Sequence, residues 1–119
     1  MDEILRRAAD NVYDQLGPWQ RESTYRDAMA LELKSGHGLI VSTEVHGTVW
    51  FLPSGMSHPT AVGTHIADIL IAEPRIVLEL KARTSTSTAC IQAKAYKETF
   101  GAKDAYVVVF ADAVRIAKV

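Results

Sequence analysis

The sequence predicts an α/β domain with a mixed central sheet flanked by helices. Three observations predict it. Two amphipathic helical stretches fill the first third of the chain. Short β-favouring runs follow, separated by glycine and proline. A later helical stretch then leads into Tyr106-Val107-Val108-Val109-Phe110, a continuous apolar run. Such a run is the signature of a strand covered on both faces. A helix joining an antiparallel run to a buried strand implies mixed strand direction, with helices on both faces of the sheet.

Each element has its own signal. Ile4, Leu5, Ala8, Val12 and Leu16 share one stripe at helical spacing, which predicts a helix over 1–16. Gly17-Pro18 ends it, since proline cannot continue the hydrogen-bond ladder. A second helix is expected over 22–35, ended by Gly36-His37-Gly38. Residues 39–45 read as a strand and 49–52 as a second, short one. Two prolines and two glycines mark 53–63 as loop. Strands over 66–71 and 76–81 flank a Glu73-Pro74-Arg75 turn. The polar stretch 83–88 supplies N-cap candidates for a helix over 88–100, which Gly101 closes. Residues 106–110 form the buried strand, and 114–119 read as a strand or a frayed tail. The expected order is α, α, β, β, β, β, α, β.

The 119 residues fit one domain over 1–119, without linker or repeat. No apolar run is long enough to cross a bilayer. The N-terminal stretch begins acidic and turns amphipathic, unlike a signal peptide. Cys90 is the single cysteine, so an internal disulfide and a cysteine-rich zinc site are both excluded. An intracellular, reducing setting is expected: cytoplasm, nucleoid or virion. The net charge of -1 argues against a protein that coats nucleic acid by bulk electrostatics. It leaves room for an enzyme whose carboxylates offset local lysines.

The chemistry concentrates in two strands. Asp68 lies in one, and Glu79 and Lys81 lie in the next. Side chains alternate along a strand, so Glu79 and Lys81 share a face. The turn at 73–75 lets Asp68 sit across from Glu79. Charges inside apolar strands are costly unless compensated. Two converging carboxylates repel, and a hard divalent ion such as magnesium or manganese relieves that repulsion. An ammonium on the same face can then serve a water or a developing phosphorane. The bland alternative is a solvated edge-strand face for Glu79 and Lys81, with Asp68 capping a turn. Glu32 lies on or beside the apolar stripe of the second helix, where it reaches solvent or meets a partner such as the metal. Gln92 and Tyr96 occupy successive turns of the later helix. Gln92 reads as a contact to water, phosphate or Lys81, or as a surface contact. Tyr96 reads as core.

Asp68, Glu79-x-Lys81, Glu32 and Gln92 in this order resemble the PD-(D/E)XK nuclease superfamily. The stretches 16–25 and 28–33, then 67–71, 77–82 and Ile91-Gln92, are similar to the GxxExxY proteins within it. The ending 101–109 is similar to small archaeal Holliday-junction resolvases. Two departures stand out. Trp19 replaces the glycine that opens the GxxExxY motif, and Ala67 stands where the superfamily has proline. The resemblance implies a restriction-endonuclease-like αβββαβ core, magnesium or manganese, and phosphodiester hydrolysis in DNA or RNA. It implies Asp68, Glu79 and the Leu80 carbonyl as metal ligands. Lys81 would serve the nucleophilic water, Glu32 would be an outer carboxylate and Gln92 an accessory group. DNA is the expected partner, and a homodimer would suit a small enzyme that cuts two strands. The alternative is a catalytically silent module on the same fold, binding nucleic acid or protein.

Other residues carry weaker signals. His37, His46, His58 and His65 lack a zinc-binding spacing. His65 stands three residues before Asp68, so an unbroken strand turns it to the opposite face. Trp50, Phe51 and Met56 suggest a hairpin that touches nucleic acid or a partner, or else core packing. Lys34, Lys94, Lys97 and Lys103 could meet phosphates or simply stay solvated.

Overall fold

The computed structural model describes residues 1–83 and 86–119. Its elements are α1 (Asp2–Leu16), α2 (Glu22–Ser35), β1 (Val41–Phe51), β2 (Thr60–Ile71), β3 (Ile76–Ala82), α3 (Thr86–Thr99), β4 (Asp104–Phe110) and β5 (Val114–Lys118). The strands form one sheet in the order β1-β2-β3-β4-β5. Only β3 and β4 run parallel, joined through α3, and the other neighbours are antiparallel.

The expected mixed sheet with helices on both faces is present. One difference lies in the first hairpin. The two strands expected at 39–45 and 49–52 are a single strand, β1. Its partner β2 begins at Thr60, six residues before the expected start at 66. Thr60-Ala61-Val62-Gly63-Thr64 contains one glycine and follows a loop-like stretch, yet it pairs with Phe51 back to Thr48 across a register shift at Val49/Trp50. The ladder across the hairpin overrides the local turn chemistry. The C-terminal segment is a strand, β5, rather than a frayed tail. The N-cap expected for α3 falls partly on residues 84 and 85, outside the described residues.

Each sheet face has its own core. Ile69, Ile71, Ile76, Leu78, Leu80, Tyr106, Val108 and Phe110 pack against Leu5, Val12, Tyr25, Met29 and Leu33 of α1 and α2. Leu70, Val77, Val107 and Val109 pack against Ala89, Ala93 and Phe100 on the α3 side. The β4 strand contributes to both clusters, as its unbroken apolar run requires.

The direction of α2 matters for the site. Near its start, Tyr25 stacks on Phe110 at 4.2 Å between ring centroids. Phe110 pairs with Ala82, at the far end of β3. Beyond the other end of α2, the chain enters β1 at Val41, whose partner Ile71 pairs with Ile76 at the start of β3. The N-terminus of α2 therefore stands at the Lys81 end of β3, and its C-terminus at the Ile76 end.

Candidate active site

The β2–β3 ladder runs from Ile71↔Ile76 to Ile69↔Leu78. Beyond it, carboxylates replace backbone partners. Asp68 Oδ2 accepts the Leu80 amide proton at 2.7 Å. Glu79 Oε1 accepts the Asp68 amide proton at 3.3 Å. Two acidic side chains thus fill the gap where the strands part. Glu79 pairs across the parallel ladder with Val107, and Lys81 with Val109. Both partners belong to the α3-side cluster, so Glu79 and Lys81 lie on that face. Leu70 also lies there, and Asp68 is two residues before it. Asp68, Glu79 and Lys81 therefore share one face of the sheet.

Glu79 is 2% exposed, the one buried charged residue among those described. Burial pushes its carboxyl up to about 8, and the neighbouring Asp68 charge pushes in the same direction. The Asp68 amide and the Lys81 ammonium oppose this shift but do not cancel it. The pair is therefore short of positive charge. Two hard oxygen donors around a charge deficit suit magnesium, which binds through one or two carboxylates and keeps its remaining waters. In a strand, a residue's N–H and C=O point to the same side. Since the Leu80 amide points to Asp68, the Leu80 carbonyl points into the same gap. Among the described residues no group of three or more His, Cys, Asp or Glu converges on a metal site. The oxygen atoms that meet in the gap are those of two carboxylates and of the backbone.

The structure does not bring Glu32 to this pair. Glu32 lies in the last turns of α2, at the Ile76 end of the sheet, and its Oε2 is 3.8 Å from His37 Nε2. It lines a cleft between α1 and α2 with Asn11, Gln15 and Leu31. The helical stripe places a residue around the axis, but the end of the sheet it reaches depends on the direction of the helix, which the stripe does not give.

Gln92 sits on α3, which covers the Asp68–Glu79 face, and its amide donates to the Tyr96 hydroxyl at 3.0 Å. Tyr96 is half-buried against the α3-side cluster, as expected of a core aromatic. His65 departs from expectation. Its ring lies 4.4 Å from that of Tyr96, and its Nδ1 is 2.8 Å from Thr99 Oγ1. It therefore faces α3, on the same side as Asp68. The strand alternation breaks between them. Glu44, across from Asp68 in the register, drops out of the β1–β2 pairing and has φ 51°.

Residues 1–119 match the profile of the PD-(D/E)XK nuclease superfamily. The chain belongs to that superfamily. The crystal structure of SSO0001 shares its fold, with a TM-score of 0.57 over 99% of this chain and 76% of that one, at 14% identity. No curated protein matches the chain. Members of the PD-(D/E)XK superfamily are usually phosphodiesterases that act on nucleic acid and generally use divalent metals such as magnesium. The mixed sheet found here is the restriction-endonuclease-like architecture of that superfamily.

Two further features stand beside the PD-(D/E)XK positions. Glu22 opens α2 at the Lys81 end of the sheet. Its signal was the GxxExxY-like spacing of Glu22 and Tyr25. Arg26 spans from α2 to Glu44 at 2.6 Å, next to the break opposite Asp68. That pair joins two elements distant in sequence, and no local pattern announces it.

Proposed function

We propose that this protein is a magnesium- or manganese-dependent nuclease that hydrolyses phosphodiester bonds in DNA. The observation that supports it most is the buried Glu79 carboxylate facing Asp68 where the β2–β3 ladder stops. A buried acid beside a second acid is costly without a cation, and the two backbone amides that the pair accepts from do not neutralise it.

Asp68, Glu79 and the Leu80 carbonyl are the residues that would hold the ion. Such an ion supplies Lewis acidity and lowers the pKa of water when bound. Lys81, on the same face, would orient the attacking water or stabilise charge on the phosphoryl oxygens. Gln92, on the α3 that covers that face, would serve as an accessory contact to the water or a phosphate. Glu22, on the opposite face of the sheet but at its Lys81 end, would reach round the strand ends as the outer carboxylate more readily than Glu32. A homodimer with two such sites would cut both strands of a duplex.

The test is cleavage of duplex, branched and single-stranded DNA, and of RNA, with Mg²⁺ or Mn²⁺. Asp68→Asn and Lys81→Ala serve as controls. Metal-dependent cleavage of DNA that both substitutions abolish is the expected result. Binding without cleavage under any divalent ion would leave a silent module that holds nucleic acid. Cleavage that survives both substitutions would reject the assigned site.

A further inference from the structure

The β1–β2 hairpin extends beyond the helices as an arm, and the molecule measures 54 × 29 × 20 Å. Its outer half is apolar and open. Trp50, Phe51, Leu52, Met56 and Val62 are each 57–62% exposed. Single exposed apolar residues are ordinary on protein surfaces, but a group of five on one arm is not. Together they leave on the order of 600 Å² of side chain in water, close to the ~800 Å² that each partner contributes to a standard interface.

The arm also lacks charge. The chain has 13 Lys and Arg and 14 Asp and Glu, yet residues 45–67 contain none of these. Arms that hold nucleic acid, including those that wedge apolar residues between bases, rely on Lys and Arg for the phosphates. Interface cores between proteins show the opposite composition, depleted of charge and enriched in Trp, Phe and Met.

The edge of the sheet points to the occupant. β1 is an end strand whose one sheet neighbour is β2. Exposed edges are usually blunted by Lys, Pro or inward charges. Between the break at Glu44 and the register shift at Val49/Trp50, β1 carries none of these. An open antiparallel edge is self-complementary about a twofold axis, because each copy presents the same donors and acceptors in reverse.

We infer that the β1–β2 arm is a homodimer interface: the β1 edges of two copies pair antiparallel, so that each arm runs back along the base of the other and its exposed Trp50, Phe51, Leu52, Met56 and Val62 are covered by the body of the other copy. The interface needs neither metal nor nucleic acid. It stands whether or not the chain cuts DNA.

Sedimentation equilibrium of the whole chain, without divalent ions or nucleic acid, tests it. The wild-type chain should be dimeric at micromolar concentration. A Trp50→Glu/Phe51→Glu variant should keep its circular dichroism and associate at least about a hundredfold more weakly, as expected when two aromatic anchors are lost. Amide exchange at residues 45–49 should slow as concentration rises in the wild type and not in the variant. A wild-type chain that stays monomeric at high micromolar concentration would overturn the proposal. So would a dimer equally tight in the variant. A monomer that loses nucleic-acid affinity through the same two substitutions would reassign the arm to nucleic acid, and the dimer would again be rejected.

Discussion

The Asp68 carboxylate accepts the backbone proton of Leu80 at 2.7 Å, in the place where the sheet ladder stops. One side chain therefore ends strand pairing and presents an acidic group to its neighbour. Asp68→Ala removes the acceptor and leaves the Leu80 amide without it. The expected cost is about 1–3 kcal/mol of stability, measured by urea denaturation. Asp68→Asn keeps an acceptor oxygen and should cost under about 1 kcal/mol. Both should abolish Mn²⁺ binding in calorimetry. Metal affinity that survives in Asp68→Asn would remove Asp68 from the ligand set.

Glu79 gives a pH dependence with a definite sign. Its carboxyl is raised from 4.5 to about 8, so the folded chain holds a proton that the unfolded chain has released. The stabilising contribution is complete below about pH 4.5 and is lost as pH rises through about 8. Metal-free protein should be less stable at pH 9 than at pH 6 from this group, by up to a few kcal/mol. Glu79→Gln should flatten that dependence and raise the thermal midpoint at pH 9. Saturating Mg²⁺ should restore stability to the wild type alone. A Glu79→Gln chain with the wild-type pH profile would show that Glu79 is not the titrating group.

Gly47 holds the arm against α3. A Cβ there would come within 2.8 Å of the Phe100 ring and of Thr99 Cγ2. Gly47→Val should therefore destabilise the fold by about 1–3 kcal/mol through overpacking. Gly63, on the partner strand, has nothing nearer than 3.9 Å, so Gly63→Ala should be tolerated. Thermal denaturation of the two variants side by side checks the contrast. Equal losses would mean that the close approach at Gly47 is not the cause.

Much of this architecture was legible because local and global signals agree. The Tyr106–Phe110 run announced a strand buried on both faces, and both cores indeed draw on it. The alternation of Glu79 and Lys81 put them on one face, and the turn at 73–75 fixed their relation to Asp68. Failures came where long-range geometry decides. Residues 60–64 pair because β1 lies beside them, although their own composition reads as loop. His65 faces α3 because strand alternation breaks opposite Glu44, and a break of that kind leaves no mark on side-chain periodicity. Glu32 has a suitable stripe position but stands at the end of α2 away from Lys81.

The polarity of α2 separates its two acids. Glu22 and Glu32 lie ten residues apart on one helix, about 15 Å along its axis. Only the Glu22 end approaches the end of β3 that carries Lys81. Glu22→Gln should lower kcat by about tenfold or more in a Mg²⁺-dependent assay, as expected for loss of an outer carboxylate. Glu32→Gln should leave kcat within about twofold and cost under about 1 kcal/mol of stability, since its side chain makes a long contact, 3.8 Å, to His37. The reverse ranking would place the outer carboxylate at Glu32 and contradict the helix direction as the deciding factor.

Lys81 separates chemistry from structure in a way the carboxylates cannot. Its ammonium shares a face with Glu79 and lowers the cost of that buried charge. Removing it should therefore raise the Glu79 proton affinity as well as remove a group from the reaction. Lys81→Ala should reduce kcat by about 100-fold or more with little change in KM, because the lost interaction acts on developing charge. The residual rate should rise more steeply with pH than the wild type, as Glu79 then needs higher pH to ionise. Lys81→Arg keeps the charge, so it should preserve the pH profile while losing activity, because a planar guanidinium does not reproduce the ammonium's compact geometry. If Lys81→Ala instead raises KM and leaves kcat and its pH profile unchanged, Lys81 binds substrate uniformly and takes no part in the transition state.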